Sequence, residues 1–172
     1  MTENTNNNPQ PLFGIEKLYI KDLSVEVPNA PEIFLAKDAP QVNIKLSTEA
    51  TNIEQDIFEV SLNVSVSAIL PKNKEQPEDV NVFLVEVTQS GIFRVANIPA
   101  EQLDPLLAIA CPTVLFPYAR EVISEATSKA GFPPVILQPV NFEALYLQKL
   151  QEEQQQQQQQ NQQNQQDQQD QQ

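Results

Sequence analysis

The chain has 172 residues, enough for one domain, and 10 Lys and Arg against 23 Asp and Glu leave a net charge of −13. Phosphate contacts need cations, so this balance argues against nucleic acid as a partner and favours a basic one. With no His, one Cys and three Gly, the chain lacks Ser-His-Asp and Cys-His machinery, the commonest metal ligand, an intrachain disulfide and a Gly-rich phosphate loop.

Residues 1–11 are polar and Asn-rich, which predicts a disordered arm. They carry no basic region followed by an apolar run, so no secretion signal is expected. No stretch is expected to approach the ~20 apolar residues of a membrane span. The expected compartment is therefore the cytoplasm. Residues 15–27, IEKLYIKDLSVEV, have strand composition but change phase: Leu18 and Ile20 share one face, Leu23, Val25 and Val27 the other. A bulge near Lys21 and Asp22 explains the switch, and a strand covered on both sides is the alternative. PNAP (28–31) then forms a stiff connection.

QVNIKLST (41–48) alternates cleanly, with Val42, Ile44 and Leu46 on one face. Residues 58–70 alternate better still: Phe58, Val60, Leu62, Val64, Val66, Ala68 and Leu70 oppose Glu59, Ser61, Asn63, Ser65 and Ser67. That is a half-buried antiparallel strand with one wet face. Residues 71–79 read as a polar loop, and residues 80–93 as the return strand of a hairpin. On it Phe83, Val85 and Val87 take one face, and Val82, Leu84, Glu86 and Thr88 the other.

DPLLAIA (104–110) reads as a helix that Pro112 should end near Cys111. Pro117 then starts or kinks a second helix. On a wheel from Val114, the residues Val114, Leu115, Tyr118, Ala119, Val122, Ile123, Ala126 and Ala130 fall in an arc of roughly 180°, wider than the ~100° that one sheet contact needs. The helix is either the buried centre of a monomer or a subunit interface. Gly131 should stop it. GFPPVILQP (131–139) is an apolar loop, Asn141 a plausible N-cap, and Phe142, Leu145, Tyr146 and Leu150 recur at helical spacing. From residue 151 the chain is a Gln-rich tail with no apolar residue to bury, expected to be disordered.

Four strands followed by helices give an α+β order: a four-stranded antiparallel sheet, a meander with a long crossover loop after its first strand, with helices on one face. No catalytic constellation emerges. Cys111 has no basic neighbour in sequence and reads as a buried, inert thiol. No enzyme activity, cofactor or metal site is expected. The apolar loops 28–39 and 131–139 point instead to a surface that binds.

Four stretches carry a resemblance. YIKDLSVEVPNAPEIF (19–34), FLVEVTQSGIF (83–93), CPTVLFPYAREVI (111–123) and GFPPVILQPVNFEALY (131–146) resemble the SecB family of bacterial protein-export chaperones, in the family's order and spacing. The resemblance implies a SecB-like domain over residues 12–150. It implies an ATP-independent holdase that binds unfolded precursor proteins in the cytoplasm and delivers them to the SecA translocation ATPase. It also implies a homotetramer, a dimer of dimers. The client groove then comprises Phe34, Val42, Ile44, Leu46, Phe132, Val135, Leu137 and Tyr146. The SecA docking face comprises Asp22, Glu26, Leu84 and Glu86, and the oligomer interface Val85, Val87, Val114, Tyr118, Val122 and Ala126. Three features depart from the pattern: the long 71–79 loop, Ala39 where the family carries Trp, and the Gln-rich tail. Two alternatives stand beside this reading: a SecB-like chaperone dedicated to one client, such as a toxin–antitoxin pair, and a non-catalytic binding or scaffold domain.

Overall fold

The alternating segments pair into one sheet. In the computed structural model, which describes the backbone of residues 10–72 and 77–169 and side chains as far as Gln156, strands β1 (Leu12–Glu26), β2 (Gln41–Glu54), β3 (Ile57–Leu70) and β4 (Val80–Ala96) stand in the order β1-β4-β3-β2, antiparallel throughout. β2, β3 and β4 form the meander. The connection after β1 crosses from one edge of the sheet to the other, as expected. The phase change in β1 is a register shift between Ile20 and Asp22, with a second shift between Ile15 and Lys17. β2 and β3 run further than their alternation indicates, because a tight turn at Asp56 (φ 60°) closes a longer hairpin. The arm expected before β1 lies outside the described residues except for residues 10 and 11, and the 71–79 loop does so in part.

The even-numbered face of β3 and the odd-numbered face of β4 form the core side. Val66 pairs with Val85, Val64 with Val87 and Phe58 with Phe93, and helix α2 (Cys111–Lys129) packs chiefly on these two strands. Val60, Leu62, Val66, Val85, Leu115, Ala119 and Ile123 are fully buried there.

The helical segment differs from its expectation. Helical backbone runs from Ala100 to Lys129 as α1 (Ala100–Pro105), a π-helical turn (Leu106–Ala110) and α2, through Pro105, Pro112 and Pro117. Cys111 donates its N–H to the carbonyl of Leu106, five residues back. The wider turn gives the Pro112 ring room that an α-turn would deny it. Thr113 Oγ1 also donates to the Ile109 carbonyl at 2.6 Å. The helix therefore continues where proline chemistry alone ends it. Continuity also makes residues 100–129 long and apolar enough to cross a membrane by length and composition, with a mean hydropathy of 1.5 over the best window. The expectation of no such stretch is corrected to that extent; α2 lies on a sheet, as core helices do.

The chain divides into two compact units, Met1–Gln138 and Pro139–Gln172. The second holds α3 (Phe142–Gln169), N-capped as expected: the Ala144 N–H donates to Asn141 Oδ1 at 3.0 Å. α3 continues to Gln169 across the stretch expected to be structureless. Gln is a good helix former, so a helix begun at Phe142 propagates through it without a core.

Candidate binding faces

α2 covers the middle of the sheet and leaves apolar strips on both sides. On β2, Val42 and Ile44 are 45% and 50% exposed, although they share the core side with Ala68 and Val66. The strip continues over the end of the sheet. Val42 pairs with Ala68 and Ala68 with Phe83. The Phe132 ring packs on Phe83 at 4.9 Å and on Phe34 at 5.2 Å between centroids. Phe34 is itself 49% exposed.

Thr127 holds this corner in place. Helix α2 ends with Gly131 at φ +92°; the Gly131 N–H donates to Ser128 O at 3.1 Å and the Phe132 N–H to Thr127 O at 3.2 Å. This paired closure turns Phe132 out of the helix. Thr127 Oγ1 donates to the Ile123 carbonyl at 2.9 Å and accepts the Val135 N–H at 3.0 Å. A Cβ at residue 131 would stand 3.2 Å from the Phe34 ring, so glycine also permits the aromatic contact. Of the predicted groove residues, Val42, Ile44 and Leu46 share one face of β2, Phe34 and Phe132 form the aromatic corner, and Val135 stands half-buried in the loop, where its N–H meets Thr127. Leu137 is buried, at 2% exposure, and supports it from within. Tyr146 lies on α3 in the second unit. The fixing role of Thr127 escaped the sequence, because a Thr inside an apolar helix carries no signal of its loop partner.

The opposite, solvent face of the sheet carries the charges. Glu26 pairs with Leu84, Ser24 with Glu86 and Asp22 with Thr88, so the predicted docking residues Asp22, Glu26, Leu84 and Glu86 share one face. The three acids are exposed and Leu84 is half-buried. Further along, Glu59 accepts from the Tyr19 hydroxyl and, at 2.7 Å, from Lys21 Nζ. Desolvation pushes the Tyr19 phenol up to about 12, with its bond to Glu59 adding to the rise. The Lys21 bond, followed by that of Tyr19, holds the Glu59 carboxyl below its ordinary range. Nothing in the alternation of β1 marked this cluster.

The residues of the predicted oligomer interface differ in burial within the single chain. Val85 and Val87 lie under α2 at 0% and 2% exposure, and Ala126 is buried too. They are used within the single chain and offer nothing to a partner. Val114 and Val122 are half-buried and Tyr118 is exposed. A strip that periodicity missed lies on the core side of β1: Phe13, Ile15, Ile20, Leu23 and Val25 are exposed. The uneven phase of β1 hid it. Cys111 is fully buried, and burial pushes its thiol up to about 12, so at neutral pH it is a protonated thiol in the core.

The chain is similar to known proteins. A family model described as preprotein translocase subunit SecB matches residues 6–153. The protein-export protein SecB of Dechloromonas aromatica is 59% identical over 144 residues, covering 84% of this chain and 90% of its own. That of Azoarcus sp. is 54% identical over 149 residues, covering 87% and 92%. A solved SecB-like chaperone of Mycobacterium tuberculosis, in complex with a peptide from an antitoxin, superposes with a TM-score of 0.54 at 17% identity, covering 74% of this chain and 90% of its own; it shares the fold.

Proposed function

The chain belongs to the SecB family of protein-export chaperones, and from that premise we propose that it works as an ATP-independent holdase for unfolded precursor proteins in the cytoplasm. The observation that carries the reading is the open apolar strip of Phe34, Val42 and Ile44, exposed to solvent on a folded scaffold, with the half-buried Phe132 ring packed against Phe34. Such a strip takes apolar side chains of any unfolded chain without reading their order. Exposed surface of this kind is also what a closed scaffold domain would lack. Ala39 leaves the strip without one aromatic wall, so its aromatic contacts rest on Phe34, Phe83 and Phe132.

The acidic solvent face is the docking site for a basic segment of the SecA translocation ATPase, through Asp22, Glu26, Leu84 and Glu86. The functional domain spans residues 12–150. A homotetramer, built as a dimer of dimers, covers the β1 strip, the exposed Tyr118 and the half-buried Val114 and Val122 beside it. Modest affinity at each groove then gains avidity from several grooves on one assembly. The chemistry is binding alone, and the protonated Cys111 takes no part in it.

Light scattering tests this directly. The expected solution mass is about four times the 19.3 kDa chain. It should rise on adding an unfolded, apolar-rich polypeptide and stay constant with the same protein folded. A monomer indifferent to unfolded chains would overturn the reading.

A further inference from the structure

The solvent face is concave as well as acidic. A hollow of about 430 Å³ is bounded by Asp22, Glu86 and Thr88 on one side and by Lys45 and Ser47 on the other, with Asn63 and Ser65 between. The strand register fixes the order: Lys45 pairs with Ser65 and Ser65 with Glu86, while Asn63 pairs with Thr88 and Thr88 with Asp22. Lys45 and Glu86 thus face each other across β3, two strand spacings apart, or roughly 10 Å. The floor is uncharged and tied by a Thr88 to Asn63 bond of 2.8 Å. Among the described residues neither Lys45 nor Asp22 nor Glu86 is in an ion pair. Further along this face, Lys21 and Glu59 are committed to each other.

We propose that this hollow reads its partner in both signs of charge: Asp22 and Glu86 take a cation, and Lys45 takes a carboxylate of the same segment. The occupant is an extended stretch of the docking partner with a basic residue and an acidic side chain two or four positions apart, since only alternate residues of an extended chain share a face and those spacings, roughly 7 and 13 Å, bracket the gap within reach of the side chains. This rests on the docking reading above and sharpens it from a basic partner to a two-sign one.

Lys45→Glu separates the two. On a merely acidic face this change removes an opposing charge beside Asp22 and Glu86 and tightens a basic partner. On a two-sign face it sets a carboxylate against a carboxylate and weakens binding by about tenfold or more at low salt, the loss of one interfacial charge pair. The partner ATPase itself is the probe, titrated onto the full chain by calorimetry. Lys45→Gln should lose less than Lys45→Glu, and both should capture unfolded polypeptide as the parent does, since Lys45 points away from the strip on the other side of β2. Unchanged or tighter binding by Lys45→Glu overturns the proposal. The paired variant Asp22→Lys, Glu86→Lys tests the underlying reading. If it has lost the partner while Lys45→Glu has not, the docking face stands and the two-sign proposal falls. If it binds as the parent does, both fall.

Discussion

Glu59 holds together a three-residue cluster with consequences for pH. The Tyr19 phenol titrates at about 12 in the folded chain against about 10 in an unfolded one. The folded state therefore keeps its proton longer, and this stabilisation is present below pH 10 and is lost as pH rises from about 10 to 12. Tyr19→Phe should flatten the fall in stability across that alkaline window, measured by urea melts at fixed pH. On the acid side Glu59 is depressed, so its contribution is present above the ordinary carboxylate range and is lost as pH falls through the folded value. Glu59→Gln should remove that acid dependence at a cost near 1 kcal/mol or less, because Lys21 is half exposed. At Thr127, Thr127→Val should destabilise the chain by about 1–3 kcal/mol, since the Val135 N–H loses its acceptor. Weaker capture of unfolded polypeptide should accompany the loss, because the same bond sets the loop behind Phe132. A Thr127→Val chain that captures clients as well as the parent would show that Phe132 is fixed by its ring contacts alone. At this scale the sequence was partly legible. Asn141 and Gly131 announced their roles by residue type and position. Thr127 and Tyr19 did not, because their partners lie 8 and 40 residues away and only the fold brings them close.

Elements were legible where one rule governed them. β3 alternates because one face meets α2 and the other is only half-covered, and its burial follows that pattern from Leu62 to Leu70; before it, Ser61 is buried on the polar face against Ser90. β1 followed no single rule. Two register shifts broke its period, so the bulge could be read but the exposed strip could not. The break expected near Cys111 was misread because Pro112, taken alone, ends a helix, whereas a helix running from Pro112 through Pro117 to Gly131 was one of the two readings open. A π-turn ahead of Pro112 and the start of α2 at Cys111 place that ring where no N–H is needed. Pro117 has no such relief: it stands inside α2, on its exposed side, and denies the Thr113 carbonyl its helical donor. Pro117→Ala should therefore raise stability, by up to the ~3 kcal/mol that separates the two residues in a helix interior, and raise the melting temperature in step. Unchanged stability would mean that the helix is already bent around Pro117 with its carbonyls satisfied elsewhere.

The whole molecule is organised by what one helix fails to cover. A four-stranded sheet is wider than a single α2, so the core sides of β1 and β2 both stay apolar and both stay open. Their sequences look alike, yet their surroundings assign them different work. β2 adjoins the aromatic corner of Phe34, Phe83 and Phe132 and a loop pinned by Thr127, which makes a groove with a floor and a wall. β1 lies at the far edge with no such wall, and its apolar residues are suited to a flat contact with another subunit. A charge placed there should be felt by assembly alone. In the proposed tetramer Leu23→Asp would bury a carboxylate in that contact, a cost of several kcal/mol for each copy, and should reduce the solution mass from the expected four chains to fewer. Tyr118→Asp on α2 should do the same if both surfaces join one assembly. Single subunits would still carry the β2 groove, so they should still bind a short apolar peptide with the parent's affinity, measured by fluorescence anisotropy. They should hold long unfolded chains far less tightly, because avidity across several grooves is gone. Retention of the parent mass by Leu23→Asp would remove β1 from the interface. Loss of short-peptide binding on dissociation would instead place part of the groove in a neighbouring subunit.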